Sequence, residues 1–119
     1  LAAALTEETE PLGAAAFAAL PDGALLVNVG RGGLVDHDAL LDALAGGRLA
    51  GAWIDTPPVE PLPPEHPLWT APNVVISAHD ATATESYPAN IARLTLAHLD
   101  QWLSGAPMTN AVLPPGPLP

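Results

Sequence analysis

Leu25-Leu-Val-Asn-Val-Gly-Arg-Gly-Gly-Leu-Val-Asp36 is the stretch on which the fold turns. Its first five residues are apolar except for one asparagine and rich in β-branched side chains. They are too few for a stable helix and end in a glycine-rich turn, so they read as a strand, Leu25 to Val29. The turn carries Arg31 between Gly30 and Gly32-Gly33 and runs into Asp36-His-Asp-Ala-Leu-Leu-Asp-Ala-Leu-Ala45. There Leu40, Leu41 and Leu44 share one helical face, Asp36 is suited to cap the N-terminus, and Gly46-Gly47 supplies a stop.

Two further apolar runs follow, Ala50 to Asp55 and Val74 to His79, and a short helix is expected before the first strand, from Gly13 to Leu20, with Pro21-Asp22-Gly23 as the turn between them. None of the three strands alternates cleanly between apolar and polar residues, which suits strands buried on both faces of a parallel sheet. Strands alternating with helices, joined by right-handed crossovers, predict an α/β fold with parallel strands.

The 119 residues are one domain in size, and at 49% hydrophobic they suffice for a core. A formal net charge of −10, from 3 basic and 13 acidic residues, argues against partners held through phosphates or through an anionic membrane surface, so neither nucleic acid nor membrane is expected. There is no cysteine, which removes disulfides and thiolate metal sites and is compatible with a cytoplasmic location. The chain opens on Leu1 rather than methionine, directly into what reads as the end of a structured element, and is expected to be a fragment of a longer protein.

Between the second and third strands, Thr56 to Pro67 holds six prolines in twelve positions. Such a segment is a stiff loop rather than a helix or a central strand. After His79, Thr82-Ala-Thr-Glu85 has the form of a capping box, and Ile91, Leu94, Leu99 and Trp102 mark one face of a long helix ending at Ser104-Gly105. Pro88 is too deep for a helix starting at Thr82, so the helix either kinks there or begins near Tyr87. The proline-rich tail from Leu113 to Pro119 is expected to fray.

Ligands of open parallel sheets bind beyond the carboxyl ends of the strands. Here each of those ends carries a functional group: Arg31 two residues past Val29, Asp55 closing the second strand, and His79 closing the third, with Glu60 in the proline loop. Gly30, Gly32 and Gly33 would let the backbone turn sharply, and the arginine fork would take a carboxylate in two parallel hydrogen bonds. A histidine within reach of a carboxylate is the usual arrangement for a general acid near neutral pH, and Glu60 is the partner expected for His79. His66, in His-Pro-Leu-Trp, is expected to pack on Trp69. His37 and His98 should be exposed on helices, with no spacing that points to a metal. Trp53, Trp69 and Trp102 read as core or interface residues.

Taken in order, these segments resemble the C-terminal half of the cofactor domain of the D-isomer-specific 2-hydroxyacid dehydrogenases. Ala4-Leu-Thr-Glu-Glu-Thr9 is similar to that family's Pro-Leu-Thr-x-x-Thr, and Leu26 to Asp36 to its arginine motif. Asp55 with Glu60-Pro61-Leu62 resembles Asp-Val-Phe-x-x-Glu-Pro-Leu, and His66-Pro-Leu-Trp-x-x-Pro-Asn-Val-Val-Ile76 leads to the family histidine at His79. Trp102-Leu-Ser-Gly-Ala-Pro-Met-Thr-Asn-Ala-Val112 looks like the closing Leu-x-Gly-x-Pro-Leu-x-Asn-x-Val.

The resemblance implies the second half of a doubly wound, Rossmann-type parallel sheet over residues 1–82, with a C-terminal return helix and proline-rich tail over 83–119. It implies NAD as cofactor, NADP not being excluded, and a small 2-keto or 2-hydroxy acid as substrate. Arg31 would hold the substrate carboxylate, and His79, paired with Glu60, would act as acid and base. Asp55 and the backbone of Val29 and Gly30, beside Arg31 and His79, would line the nicotinamide. The full-length parent would be a homodimer, and this chain alone would be inactive. A corepressor-like interaction module of the same fold, sensing NAD or dimerising without catalysis, is the alternative. The chain departs from the pattern at Asp80-Ala81-Thr82, where an acid follows the histidine and a glycine is lost, and at Thr56-Pro57-Pro58. It contains no Gly-x-Gly-x-x-Gly, so the adenosine half of the cofactor site is absent from it.

Overall fold

Three parallel strands, β1 (Ala24–Asn28), β2 (Leu49–Ile54) and β3 (Val74–Ile76), form one sheet in the order β1-β2-β3. The structure is a computed structural model that describes residues 1–110. The tail expected to fray, and Ala111-Val112 of the closing motif, lie outside the described residues. Register levels the strand ends, because Asn28 pairs with Ile54 and Ile54 with Ile76. The ladder runs one step further: the Asp55 amide donates to the Asn28 carbonyl at 3.0 Å, and the Ser77 amide to the Ile54 carbonyl at 3.1 Å. Three loops therefore leave the sheet side by side at its carboxyl edge. Leu1 lies along the outer side of β1, its carbonyl accepting from the Val29 amide at 3.0 Å.

Helices α1 (Ala14–Ala19) and α2 (His37–Ala45) cover one face of this Rossmann-type sheet. The Asp36 side chain caps α2 by accepting from the Asp38 and Ala39 amides, and Gly47, at φ 72°, ends it. Phe17, Leu26, Leu40, Leu44, Ile54 and Leu68 form the centre of the core. The other face is open. Leu25, Val27, Trp53 and Val75 point outward, where strands buried on both faces were expected. Their apolar character suits a covered face, but within the unit formed by Leu1–Ala81 helices are supplied to one side only.

Several local expectations change. β3 stops at Ile76 rather than reaching His79, because after the Ser77 ladder bond the chain turns to wrap the Asp55 side chain. His66 caps the short turn Pro67–Trp69, its Nδ1 accepting from the Leu68 amide at 3.2 Å. His37 is half-buried, with Nδ1 2.8 Å from the Val35 carbonyl oxygen. Burial holds its imidazole below its ordinary pKa, and nearby His66 adds to this against the pull of the Val35 carbonyl.

A second unit begins at Thr82 and contains α3 (Tyr87–Ser104). Thr82–Glu85 is no capping box: the helix starts at Tyr87 with Pro88 in its first turn, where a missing amide hydrogen costs nothing. Gly105, at φ 70°, ends it as expected. No helix among the described residues is long and apolar enough to cross a membrane.

Leu40 is fully buried between α2 and the sheet. Replacing it with alanine should cost about 2–5 kcal/mol of unfolding free energy, measured by denaturant titration of the parent and variant.

Candidate active site at the carboxyl edge of the sheet

Each loop at the carboxyl edge is shaped by a different device. After β1, Asn28 is fully buried and braces the arginine turn: its Oδ1 accepts from the Gly30 amide at 3.1 Å and its Nδ2 donates to the Arg31 carbonyl at 3.0 Å. Arg31 itself is extended, at φ −143°, and its Nη1 donates to the Gly30 carbonyl at 2.7 Å. The glycines around it were expected for turn conformation, yet none of Gly30, Gly32 and Gly33 has positive φ. Space requires them instead. A β-carbon on Gly32 would stand 2.2 Å from the Pro57 carbonyl oxygen, and one on Gly30 would stand 2.6 Å from Leu34 Cδ1. The arginine turn is thus pressed against the proline loop that follows β2.

That loop starts at Asp55, whose side chain is almost wholly buried. Its Oδ1 accepts from the Ser77 hydroxyl at 2.6 Å and from the Asp80 amide at 3.0 Å, and its Oδ2 from the Ala81 amide at 3.0 Å. The Ser77 hydrogen bond, foremost, holds the carboxyl below its ordinary value. The Ala81 and Asp80 amides and the neighbouring His79 act the same way, and burial opposes them.

Beyond β3, the turn carries His79 at φ 57° and aims its Nδ1 at Glu60 Oε2, 3.0 Å away. An ionised carboxylate can only accept, so the hydrogen lies on Nδ1 and Nε2 is the ring atom left for other work. Both side chains are a little under half exposed. They line a cleft of about 340 Å³ with Trp69, Ser77 and Ile76. Arg31 lines a separate cleft of about 530 Å³ with Val29, Gly30 and the Ala2–Leu5 segment. The expected partners His79 and Glu60 therefore meet, and Asp55 sits under the His79 turn. Arg31 enters no ion pair among the described residues. A shallow hollow of about 260 Å³ on the open sheet face, lined by Leu25, Val27, Trp53 and Val75, holds no titratable group. No cluster of three or more metal-ligating side chains occurs among the described residues.

The model of the D-isomer specific 2-hydroxyacid dehydrogenase NAD binding domain matches residues 1–81. The chain belongs to this family. It is 41% identical over 111 residues to glyoxylate/hydroxypyruvate reductase B of Citrobacter koseri, which covers 92% of the chain and 34% of that protein. The D-isomer specific 2-hydroxyacid dehydrogenase of Xanthobacter autotrophicus Py2, solved with NADPH and MES, superposes with a TM-score of 0.78 at 39% identity, over 92% of this chain and 45% of that one. The NADPH-dependent glyoxylate/hydroxypyruvate reductase of Sinorhizobium meliloti, solved with NADP and sulfate, gives 0.77 at 34% identity, over 91% and 35%. The chain spans about a third of the length of the curated reductases it matches.

In this dehydrogenase-family chain, sequence reading missed two residues of the edge. Asn28 stands inside the quoted stretch, where a polar residue in an apolar strand just before a glycine was the available signal. Ser77 had none, because its importance follows from its pairing opposite Asp55.

The Asp55 hydrogen bonds give stability a defined acid limit. With the folded pKa below the unfolded 3.8, the contribution is complete above that value and is lost as pH falls through the lower folded one. Denaturant titrations should show stability dropping below about pH 4, with Asp55→Asn less stable near neutrality and flatter across that acid window.

Proposed function

We propose that this chain is part of an oxidoreductase that reduces a small 2-keto acid to the 2-hydroxy acid with a nicotinamide cofactor, and that it contributes the nicotinamide side of the active site. The observation that carries this reading is the His79–Glu60 pair at the same sheet edge as Arg31, in a chain of this family. The substrate class is that of the relatives named for glyoxylate and hydroxypyruvate, and the cofactor is NAD or NADP.

The residues of the cleft fit a flat, uncharged ring. Val29 is partly exposed, Gly30 has no side chain, and the Ala2–Leu5 segment opposite is small and apolar. Asp55 is proposed to accept from the nicotinamide amide through the lone pair left on Oδ2, although its side chain is almost wholly buried and lines neither cleft. When bound, the reduced cofactor supplies the hydride for the carbonyl carbon.

The remaining work belongs to side chains. The Arg31 fork holds the substrate carboxylate and polarises the carbonyl oxygen. His79, as imidazolium, gives its Nε2 proton to that oxygen, and Glu60 keeps the ring oriented through Nδ1. In the reverse direction the neutral ring takes the proton back from the hydroxyl. The adenosine half of the cofactor site and the side-chain pocket for the substrate would come from residues beyond this chain, so the chain alone is expected to be inactive. The full-length protein is proposed to be a cytoplasmic homodimer.

In the full-length protein, His79→Ala should lower kcat about a hundredfold or more while leaving KM for the keto acid nearly unchanged. Arg31→Lys keeps the charge but loses the fork, so kcat/KM should fall by about 2–4 kcal/mol. Steady-state reduction assays with glyoxylate and hydroxypyruvate check both; unchanged turnover in His79→Ala would count against His79 as the proton donor, and a parent without turnover would favour the interaction-module alternative.

A further inference from the structure

The turn bearing His79 is held by a polar chain in which Trp53 and Ser77 have no part in the proposed reaction. His79 lies in the left-handed region at φ 57°, uncommon for a residue with a side chain, so its neighbours must hold it there. Asp55 does so on both flanks. Ahead of His79 it accepts from the Ser77 hydroxyl at 2.6 Å, and behind it from the Asp80 and Ala81 amides, each at 3.0 Å.

Ser77 has one further partner: the indole Nε1 of Trp53 donates to its hydroxyl oxygen at 2.9 Å. Strand geometry brings these three together. Trp53 and Asp55 are two residues apart and project to the same side of β2, and the register that pairs Ile54 with Ile76 sets Ser77 beside Asp55. That side is the one α1 and α2 leave open.

Donor counting fixes the direction of the chain. An indole N–H only donates, and an ionised carboxylate only accepts. The single Ser77 hydroxyl hydrogen must therefore point at Asp55, its acceptor-only partner, while the Trp53 indole anchors the oxygen by occupying one of its two lone pairs. A phenyl ring at position 53 would remove the anchor on that oxygen and leave Asp55 alone to hold the hydroxyl.

We infer that Trp53 and Ser77 are positioning residues for His79: the indole anchors the Ser77 oxygen whose hydrogen goes to Asp55, and Asp55 pins both ends of the turn from which His79 reaches Glu60. Only the catalytic consequence rests on the reading of His79 as proton donor; the geometric consequence stands without it.

The experiment reads the histidine tautomer. In protein labelled with ¹⁵N at histidine, long-range ¹H–¹⁵N correlation at alkaline pH should show His79, assigned by its absence from His79→Gln, as the Nδ1–H form bonded to Glu60. Ser77→Ala and Trp53→Phe should lose that signature in favour of a mixture with Nε2–H, and Ser77→Thr, which restores a hydroxyl, should keep it. A general loss of stability would not select one tautomer of one ring. If Ser77→Ala fails to fold, Trp53→Phe carries the test, since it alters a half-exposed side chain and keeps the aromatic ring. The parental tautomer in folded Trp53→Phe overturns the role of the indole, and the parental tautomer in folded Ser77→Ala overturns the whole inference. In the full-length protein the same two variants should lower kcat about tenfold with KM little changed. A displaced tautomer with unaltered turnover upholds the positioning and counts instead against His79 as the proton donor.

Discussion

A carboxylate out of contact with water constrains everything at this edge. An ionised Asp55 without partners would be costly, far more than the loss of an ordinary hydrogen bond. The chain therefore has to bring donors to it. The available ones are the Ser77 hydroxyl and the Asp80 and Ala81 amides, and all belong to the segment after β3. Satisfying one side chain at the end of β2 thus dictates the path of the next loop. β3 is three residues long for the same reason, since the chain turns away after the Ser77 ladder bond to bring its amides to the carboxylate. His79 is carried along at the apex of that wrap and is brought over the proline loop, where Glu60 meets it.

The arginine turn is governed by contact rather than charge. Asn28 satisfies one donor and one acceptor of the turn from within, so its backbone needs no water. Gly32 lets Pro57 approach to a distance that a β-carbon would forbid. The loops after β1 and β2 are therefore fitted to each other, and those after β2 and β3 are tied by Asp55. A disturbance at either junction would reach Arg31 or His79 without touching it, and a proline-stiff segment between Thr56 and Pro67 suits such a fit.

Where pattern is local, the sequence was readable. The Asp36 cap, the Gly46-Gly47 stop, the Gly105 stop and the first two strands follow from propensity and periodicity and appear within a residue of expectation, while the third strand starts where expected and ends three residues early. The Arg31, Glu60 and His79 candidates stood out because each follows a strand or sits in a stiff loop, and the His79–Glu60 pairing is present in the structure. What escaped depends on contacts between distant segments. Nothing local says that Gly32 faces Pro57, or that Ser77 lies opposite Asp55. The open sheet face was misjudged for a related reason: apolar strands on both faces state that a cover is compatible, and not which segment provides it.

The charge distribution bears on how an anionic substrate would be recognised. With a net charge of −10, this chain's long-range field repels a carboxylate rather than steering it inward. At physiological salt that repulsion fades over about 8 Å, so recognition falls to groups in direct reach. Of the three basic residues, Arg48 is paired with Asp22 and Arg93 lies on α3, in the second unit. Arg31 is the remaining cation, exposed at the carboxyl edge and bonded to its own backbone rather than to an acid. A guanidinium in a ready ion pair would have to exchange one carboxylate for another, with little net gain. Held by the neutral Gly30 carbonyl, Arg31 keeps its charge uncompensated at short range, and a bidentate contact there would supply selectivity that the surrounding field opposes.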